Sequence, residues 1–173
     1  CTPSTDDITI NVDELPTTSD AGLDQTICSP TATLAANTPL IGTGTWTVIA
    51  GTATVTTPAS PTSGVTGLTT GVNTFRWTIT NGTCTPSTDD ITINVDELPT
   101  TSDAGLDQTI CSPTATLAAN TPLIGTGTWT VIAGTATVTT PASPTSGVTG
   151  LTTGVNTFRW TITNGTCTPS TDD

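Results

Sequence analysis

Thr74-Phe75-Arg76-Trp77-Thr78-Ile79-Thr80 alternates apolar and polar side chains without interruption. Phe75, Trp77 and Ile79 fall on one side of the chain; Thr74, Arg76, Thr78 and Thr80 fall on the other. A period of two is the signature of a half-buried β-strand. The same alternation appears at residues 8–12, 32–36, 45–49 and 52–56. No stretch shows helical periodicity with caps. Turn-forming residues separate the runs: Ser29-Pro30, Asn37-Thr38-Pro39, Gly42-Thr43-Gly44, Gly51, Pro58 to Gly64, Gly67 to Gly71 and Asn81-Gly82. Strands are therefore expected at 15–19 (A), 24–28 (A′), 32–37 (B), 45–50 (C), 52–57 (D), 63–68 (E), 72–80 (F) and 90–96 (G). Many short strands turned every 8–12 residues signal an all-β sandwich.

Working outward, the whole segment repeats. Cys1-Thr2-Pro3-Ser4-Thr5-Asp6-Asp7 returns at residues 84–90 and again at 167–173, and residues 1–83 match 84–166 without a difference. The chain is one 83-residue module read twice, which implies tandem repeats stacked end to end. At about 3.3 Å per residue, strands of this length plus loops give roughly 35–45 Å per repeat. The strands frame one complete repeat at 15–97 and a second at 98–173 that lacks its strand G. Residues 1–14 then hold a lone strand G from a preceding repeat. An isolated strand exposes its backbone groups, so 1–14 is expected to complete a neighbouring sandwich, head to tail. The expected core of a repeat is Leu34, Trp46, Val48, Val55, Val65, Leu68, Phe75, Trp77, Ile79, Ile91, Ile93 and Val95. It is small for an independent domain, which favours a covalent staple or a stabilising neighbour.

Composition narrows the function. The net charge is −12, from fourteen acids against Arg76 and Arg159 alone. Such a chain repels nucleic acid and anionic lipid. No apolar run of about 18 residues exists, so membrane insertion is not expected. Residue 1 is Cys rather than Met, which reads as a processed chain or an excerpt. With no His or Lys, nothing is present to activate Ser, Thr or Cys as a nucleophile. The carboxylate pairs Asp6-Asp7 and Asp13-Glu14 lie on single strands, where neighbours point to opposite faces. No catalytic residue and no cofactor are expected. The absence of Lys also forbids the Lys–Asn isopeptide staple, leaving cysteine as the covalent option. Asn81-Gly82-Thr83 is formally a glycosylation sequon, but Asn-Gly reads more simply as a turn. The Thr52, Thr54, Thr56 face is ordinary for a half-exposed strand and does not by itself argue for ice binding.

Asp20-Ala21-Gly22-Leu23-Asp24-Gln25-Thr26 followed by a strand resembles the opening of PKD-type and related immunoglobulin-like repeats. Gly44-Thr45-Trp46, Phe75-Arg76-Trp77-Thr78-Ile79 and the run from Asn81-Gly82-Thr83-Cys84 to Asp89-Asp90-Ile91-Thr92-Ile93 sharpen the likeness. The chain resembles the tandem repeats of giant cell-surface adhesins of Bacteroidota, including those linked to gliding motility. That resemblance implies an exported stalk or surface filament, and it brings no catalytic residues. The alternatives are a glycan- or protein-binding module and a spacer in a secreted enzyme. A binding module should expose aromatics or an apolar groove, whereas all six aromatics here suit core positions.

Two groups of residues remain as candidate sites. Asp96, Glu97, Asp103 and Asp107 surround Leu98-Pro99 and could offer oxygen ligands to Ca²⁺, but they match no loop motif, and a solvated acidic linker is the simpler reading. The disulfide candidates are Cys28, Cys84, Cys111 and Cys167. In an immunoglobulin-like strand map, Cys28 at the end of A′ and Cys84 beyond F lie at opposite ends, on the order of 20 Å apart. A disulfide needs Cα atoms within about 7 Å. Pairing across repeats, Cys28 with Cys167, answers this, with Cys84 and Cys111 turned to repeats beyond the pair. A Cys28–Cys84 bond and free thiols stay open.

Overall fold

A computed structural model describes residues 1–173. Thirteen strands succeed one another without a helix: β1 Gln25–Ile27, β2 Thr31–Thr33, β3 Thr43–Ala50, β4 Thr54–Val55, β5 Gly64–Thr66, β6 Gly71–Thr80 and β7 Ser87–Val95 from the first copy. The second copy supplies β8 Thr114–Thr116, β9 Thr126–Ala133, β10 Thr137–Val138, β11 Gly147–Thr149, β12 Thr157–Thr163 and β13 Ser170–Asp172. One sheet runs β1-β7-β6-β3 and a second runs β2-β5-β4. In letters these are A′-G-F-C and B-E-D, the strand order of an immunoglobulin-like sandwich. The second copy builds β13-β12-β9 and β10-β11-β8 in the same order. The fold is all-β and immunoglobulin-like.

The chain forms two compact units, residues 1–25 with 30–93 and residues 26–29 with 94–173. In each, the two sheets bury the faces that the alternation marks. The first holds Leu34, Trp46, Val65, Leu68, Phe75, Trp77, Ile79, Ile91 and Ile93. The second holds Leu117, Trp129, Val148, Trp160 and Ile162. The centre is a tryptophan pair, Trp46 with Trp77, at 5.1 Å between rings and tilted by 44°. Trp46 Nε1 donates to the Pro61 carbonyl at 3.2 Å, whereas the buried Trp77 Nε1 has no partner. A buried donor left unmade costs stability, so the Trp77 indole is held by packing.

Several expectations need correction. Residues 15–19 form no strand. Pro16 lacks a donor, and the segment is tied by Thr17 N to the Ile41 carbonyl and by Ser19, whose N–H donates to Ser87 Oγ and whose hydroxyl donates to the Ser87 carbonyl. Strand D shrinks to two residues at a sheet edge. Val55 is consequently only half-buried, and Ala53 takes the buried place. Val48 is exposed near the end of the edge strand β3, where the register with β6 shifts between Val48 and Ala50. Residues 1–12, expected to pair outside this chain, are exposed and join no ladder within it. Residues 107–111, the second copy's A′, are not a strand either.

Gly44 sits on β3 directly over the Trp77 indole, and a Cβ there would fall inside the ring. Gly44→Ala is expected to cost the first unit about 2 kcal/mol or more by overpacking. Urea denaturation monitored by tryptophan fluorescence measures this, and an unshifted transition would show that β3 can yield.

Candidate functional site

Three features gather outside the sandwich cores: a tight loop after the F strand, the segment that docks on it, and an open groove. The loop is Asn81 to Cys84 and its copy Asn164 to Cys167. Gly82 and Gly165 stand at φ 51° and 50°, in the left-handed region that glycine enters at least cost. The turn closes with Cys84 N donating to the Asn81 carbonyl at 3.1 Å.

The open amides of this turn capture an acidic residue. Thr83 N and Oγ1 both donate to Asp13 Oδ2, at 2.7 and 2.9 Å. Asn81 Nδ2 donates to the Glu14 carbonyl at 2.7 Å. The copy repeats this on Asp96 and Glu97: Thr166 N and Oγ1 reach Asp96 Oδ2 at 2.7 and 2.9 Å, and Asn164 Nδ2 reaches the Glu97 carbonyl at 2.7 Å. The Thr83 amide and hydroxyl hold the Asp13 carboxyl below its ordinary value, because a carboxylate that accepts hydrogen bonds keeps its charge more readily.

Asp96, Glu97, Asp103 and Asp107, weighed above as Ca²⁺ ligands against the simpler reading of a solvated linker, have separate surroundings. Asp96 is taken by the turn, Asp103 Oδ1 accepts from Gly105 N, and Asp107 lines the groove. No group of three or more acids, cysteines or histidines converges. The adjacent acids of strand G also separate: Asp89 Oδ2 accepts from Ala21 N at 2.7 Å, and Asp90 takes Arg76 in a two-point ion pair. Sequence reasoning missed these anchoring roles, although the Asp-Asp spacing on opposite faces carried the signal.

A disulfide joins Cys28 to Cys167, with Cα atoms 4.9 Å apart. Both cysteines lie within the second unit, because residues 26–29 leave the first repeat's sequence frame and pack there. Asp96 N donates to the Ile27 carbonyl at 2.7 Å alongside the bridge. Cys84 occupies the same turn as Cys167 but is a free thiol, 3.3 Å from the Glu14 carbonyl. Cys111 and Cys1 are free and exposed.

In the first unit, Ile91 and Ile93 of β7 are buried beside β6. Asp24 Oδ1 accepts from Thr92 N at 2.7 Å, and Asn73 Nδ2 lies 3.5 Å from the Ile93 carbonyl. The second unit carries a groove of roughly 1030 Å³, lined by Leu117, Trp129, Leu151, Asn156 and Phe158 with Asp107 at its side. Phe158, Leu151 and Asn156 are half-buried, where Phe75, Leu68 and Asn73 are buried. β12 is three residues shorter than β6, 7 against 10.

No family model matches this sequence, and no curated protein matches it. Among solved structures, the insect immune protein hemolin is similar at 13% identity and a TM-score of 0.47, over 95% of this chain and 47% of hemolin. This chain thus spans about half of that protein's length. A chimeric titin Z1Z2-Z1Z2 tandem is similar at 12% identity and a TM-score of 0.33, over 90% of this chain and 96% of the tandem.

This geometry generates two testable outcomes. Asp90 is held below its ordinary pKa first by its hydrogen bond from Arg76, and Asp13 by Thr83. A carboxyl lowered on folding contributes stability above its ordinary value, about pH 4, and loses it as pH falls through the folded value. Asp90→Asn should flatten the loss of stability between about pH 4 and 2 while changing the pH 7 value by less than about 1 kcal/mol, since the pair is exposed. Urea melts at pH 7 and pH 3 test this. Amide exchange at dilution gives the second outcome. Residues 107–111 and 155–158 should exchange faster than 24–28 and 72–75, a comparison free of intrinsic-rate differences because the sequences are identical.

Proposed function

We propose that this chain is a run of structural repeats from an extracellular bacterial adhesin stalk or surface filament, whose task is reach and tensile strength. The observation that carries this reading is the Cys28–Cys167 bridge, which ties a strand from one sequence repeat to the turn of the next. Repeats tied in this way resist being drawn apart, and oxidised cysteines suit an extracellular compartment. The surface supports the same reading. No aromatic side chain is exposed, as a sugar- or ligand-stacking face would require. The inventory holds no His or Lys for acid–base work. The acidic charge favours solubility and keeps neighbouring shafts apart. The resemblance to Bacteroidota adhesin repeats supplies the cell-surface setting.

Single-molecule pulling from the two ends tests the mechanical role. The bridge encloses a sequence separation of 139 residues, which at roughly 3.4 Å per residue hides about 470 Å of contour. Oxidised protein should extend short by that length, and reduction should release it. Equal contour lengths in both states would remove the mechanical argument. Antibody labelling of intact cells tests the location: unlabelled intact cells that label only after permeabilisation would overturn it.

A further inference from the structure

We propose that the loop between β4 and β5 is an O-glycosylation site. Its acceptors are the hydroxyls of Thr57 and Thr62, with Thr140 and Thr145 in the second copy, and its donor is a sugar activated as a diphosphate ester. The inference goes beyond the mechanical reading and shares with it only the export of the chain.

The loop reads Thr56-Thr57-Pro58-Ala59-Ser60-Pro61-Thr62-Ser63. Hydroxyl residues interleaved with proline are the composition of O-glycosylated stalks. Composition alone would fit any exposed turn, so the geometry decides. The loop turns its backbone to the sandwich. The Pro58 carbonyl accepts from Trp46 N at 2.9 Å, and the Pro61 carbonyl accepts from Trp46 Nε1 at 3.2 Å and from Ala36 N at 3.1 Å. Thr57 opens a tight turn that closes with Ser60 N donating to its carbonyl at 2.9 Å, and Pro58 takes the turn position that suits its fixed φ. The hydroxyls fall into two sets. Thr56 Oγ1 and Ser63 Oγ are engaged within the loop, each donating to the Gly64 carbonyl at 3.1 Å. Thr57 and Thr62 are exposed, and their hydroxyls meet no partner in the protein. The second copy repeats the arrangement. Trp129 N donates to the Pro141 carbonyl at 2.8 Å and Trp129 Nε1 to the Pro144 carbonyl at 3.1 Å, while Thr140 and Thr145 are exposed. The loop is thus fastened by bonds that leave two threonine oxygens open to a transferase.

The distribution of charge gives the sugar a task. No acid occurs in residues 25–88 or 108–171, although the chain holds fourteen. In the first unit the acids therefore border β1 and β7, and the opposite margin, β3 with this loop, has none. Strand β3 is a sheet edge with neither charge nor proline. Val48 and Ile49 near its end are 38% and 49% exposed. Such an edge invites pairing with another chain. A hydrated glycan on the loop that lies against Trp46 denies that approach.

The chain has no His or Lys to serve as a base, so the step belongs to a separate transferase. The threonine oxygen attacks the anomeric carbon of the donor. The bond from that carbon to the diphosphate oxygen breaks, the diphosphate leaves with the electron pair, and the hydroxyl proton passes to the transferase. No oxidant or reductant takes part.

Protein purified from the cells that make it is digested, and the peptides are sequenced by electron-transfer fragmentation, which keeps sugars on their residues. The loop peptides should carry sugar on Thr57 and Thr62. A series of sizes at one threonine marks stepwise addition from nucleotide sugars, and a single block marks transfer from a lipid diphosphate. Valine at all four acceptor positions should abolish the modification, with an intact Cys28–Cys167 peptide certifying the fold. Bare loop peptides overturn the proposal, as does sugar found only on sheet threonines such as Thr45 and Thr78, or only on Asn81. Sedimentation tests the shielding: the valine form should associate where the glycosylated chain does not, and equal sizes would remove that role. A bare loop on a chain that antibodies label on intact cells sinks the glycan and leaves the stalk reading. A glycosylated chain found only inside cells does the reverse.

Discussion

An 83-residue module this poor in large apolar side chains depends on the strand that lies along β6. Ile91 and Ile93 of β7 are buried beside β6, where Phe75 is buried as well. Each isoleucine buried there is worth about 1.5–3 kcal/mol of transfer free energy, large against the few kcal/mol by which so small a domain is stable. In the second copy the same residues give a shorter β12, no A′ strand and a half-exposed Phe158.

The remaining polar architecture serves that strand. Asp89 receives the Ala21 amide, Asp90 the Arg76 guanidinium and Asp24 the Thr92 amide. Each acid anchors a backbone or a neighbour at the margin of β7 instead of forming a metal cage. With Lys absent and two arginines in all, carboxylates find their partners mostly among backbone amides, which need no counter-charge on a side chain. That explains how a chain of net charge −12 folds with so few ion pairs.

Much of this was legible beforehand because strands write a period of two. The F strand, the G strand and the inward-facing places of Trp46 and Trp77 are readable from alternation alone. What escaped was set by sheet edges and by backbone. Val48 and Val55 carry inward parity, yet the edges of short sheets leave them uncovered. Residues 15–19 look extended, yet Pro16 and side-chain bonds from Ser19 replace a ladder. Ala21 and Asn73 are fully buried, and neither is apolar bulk that a pattern would mark. The docking role of Asp13 and Asp96 was hidden as well, because an acid captured by a turn looks in sequence like any linker acid. The geometry of the cysteines was partly readable: strand direction alone set Cys28 far from Cys84, although it could not choose among the remaining pairings.

The cysteine pattern also shows why turn and strand must be read as one device. The turn at 81–84 holds its acid in the same way whether or not its cysteine is bonded, since the distances at Asp13 and Asp96 agree. The turn is therefore preformed, and the disulfide does not create it. What varies is the partner of the thiol: Cys167 is bonded to Cys28, whereas Cys84 is free. The disulfide therefore adds a covalent lock to a turn that the hydrogen bonds of Thr166 and Asn164 already hold.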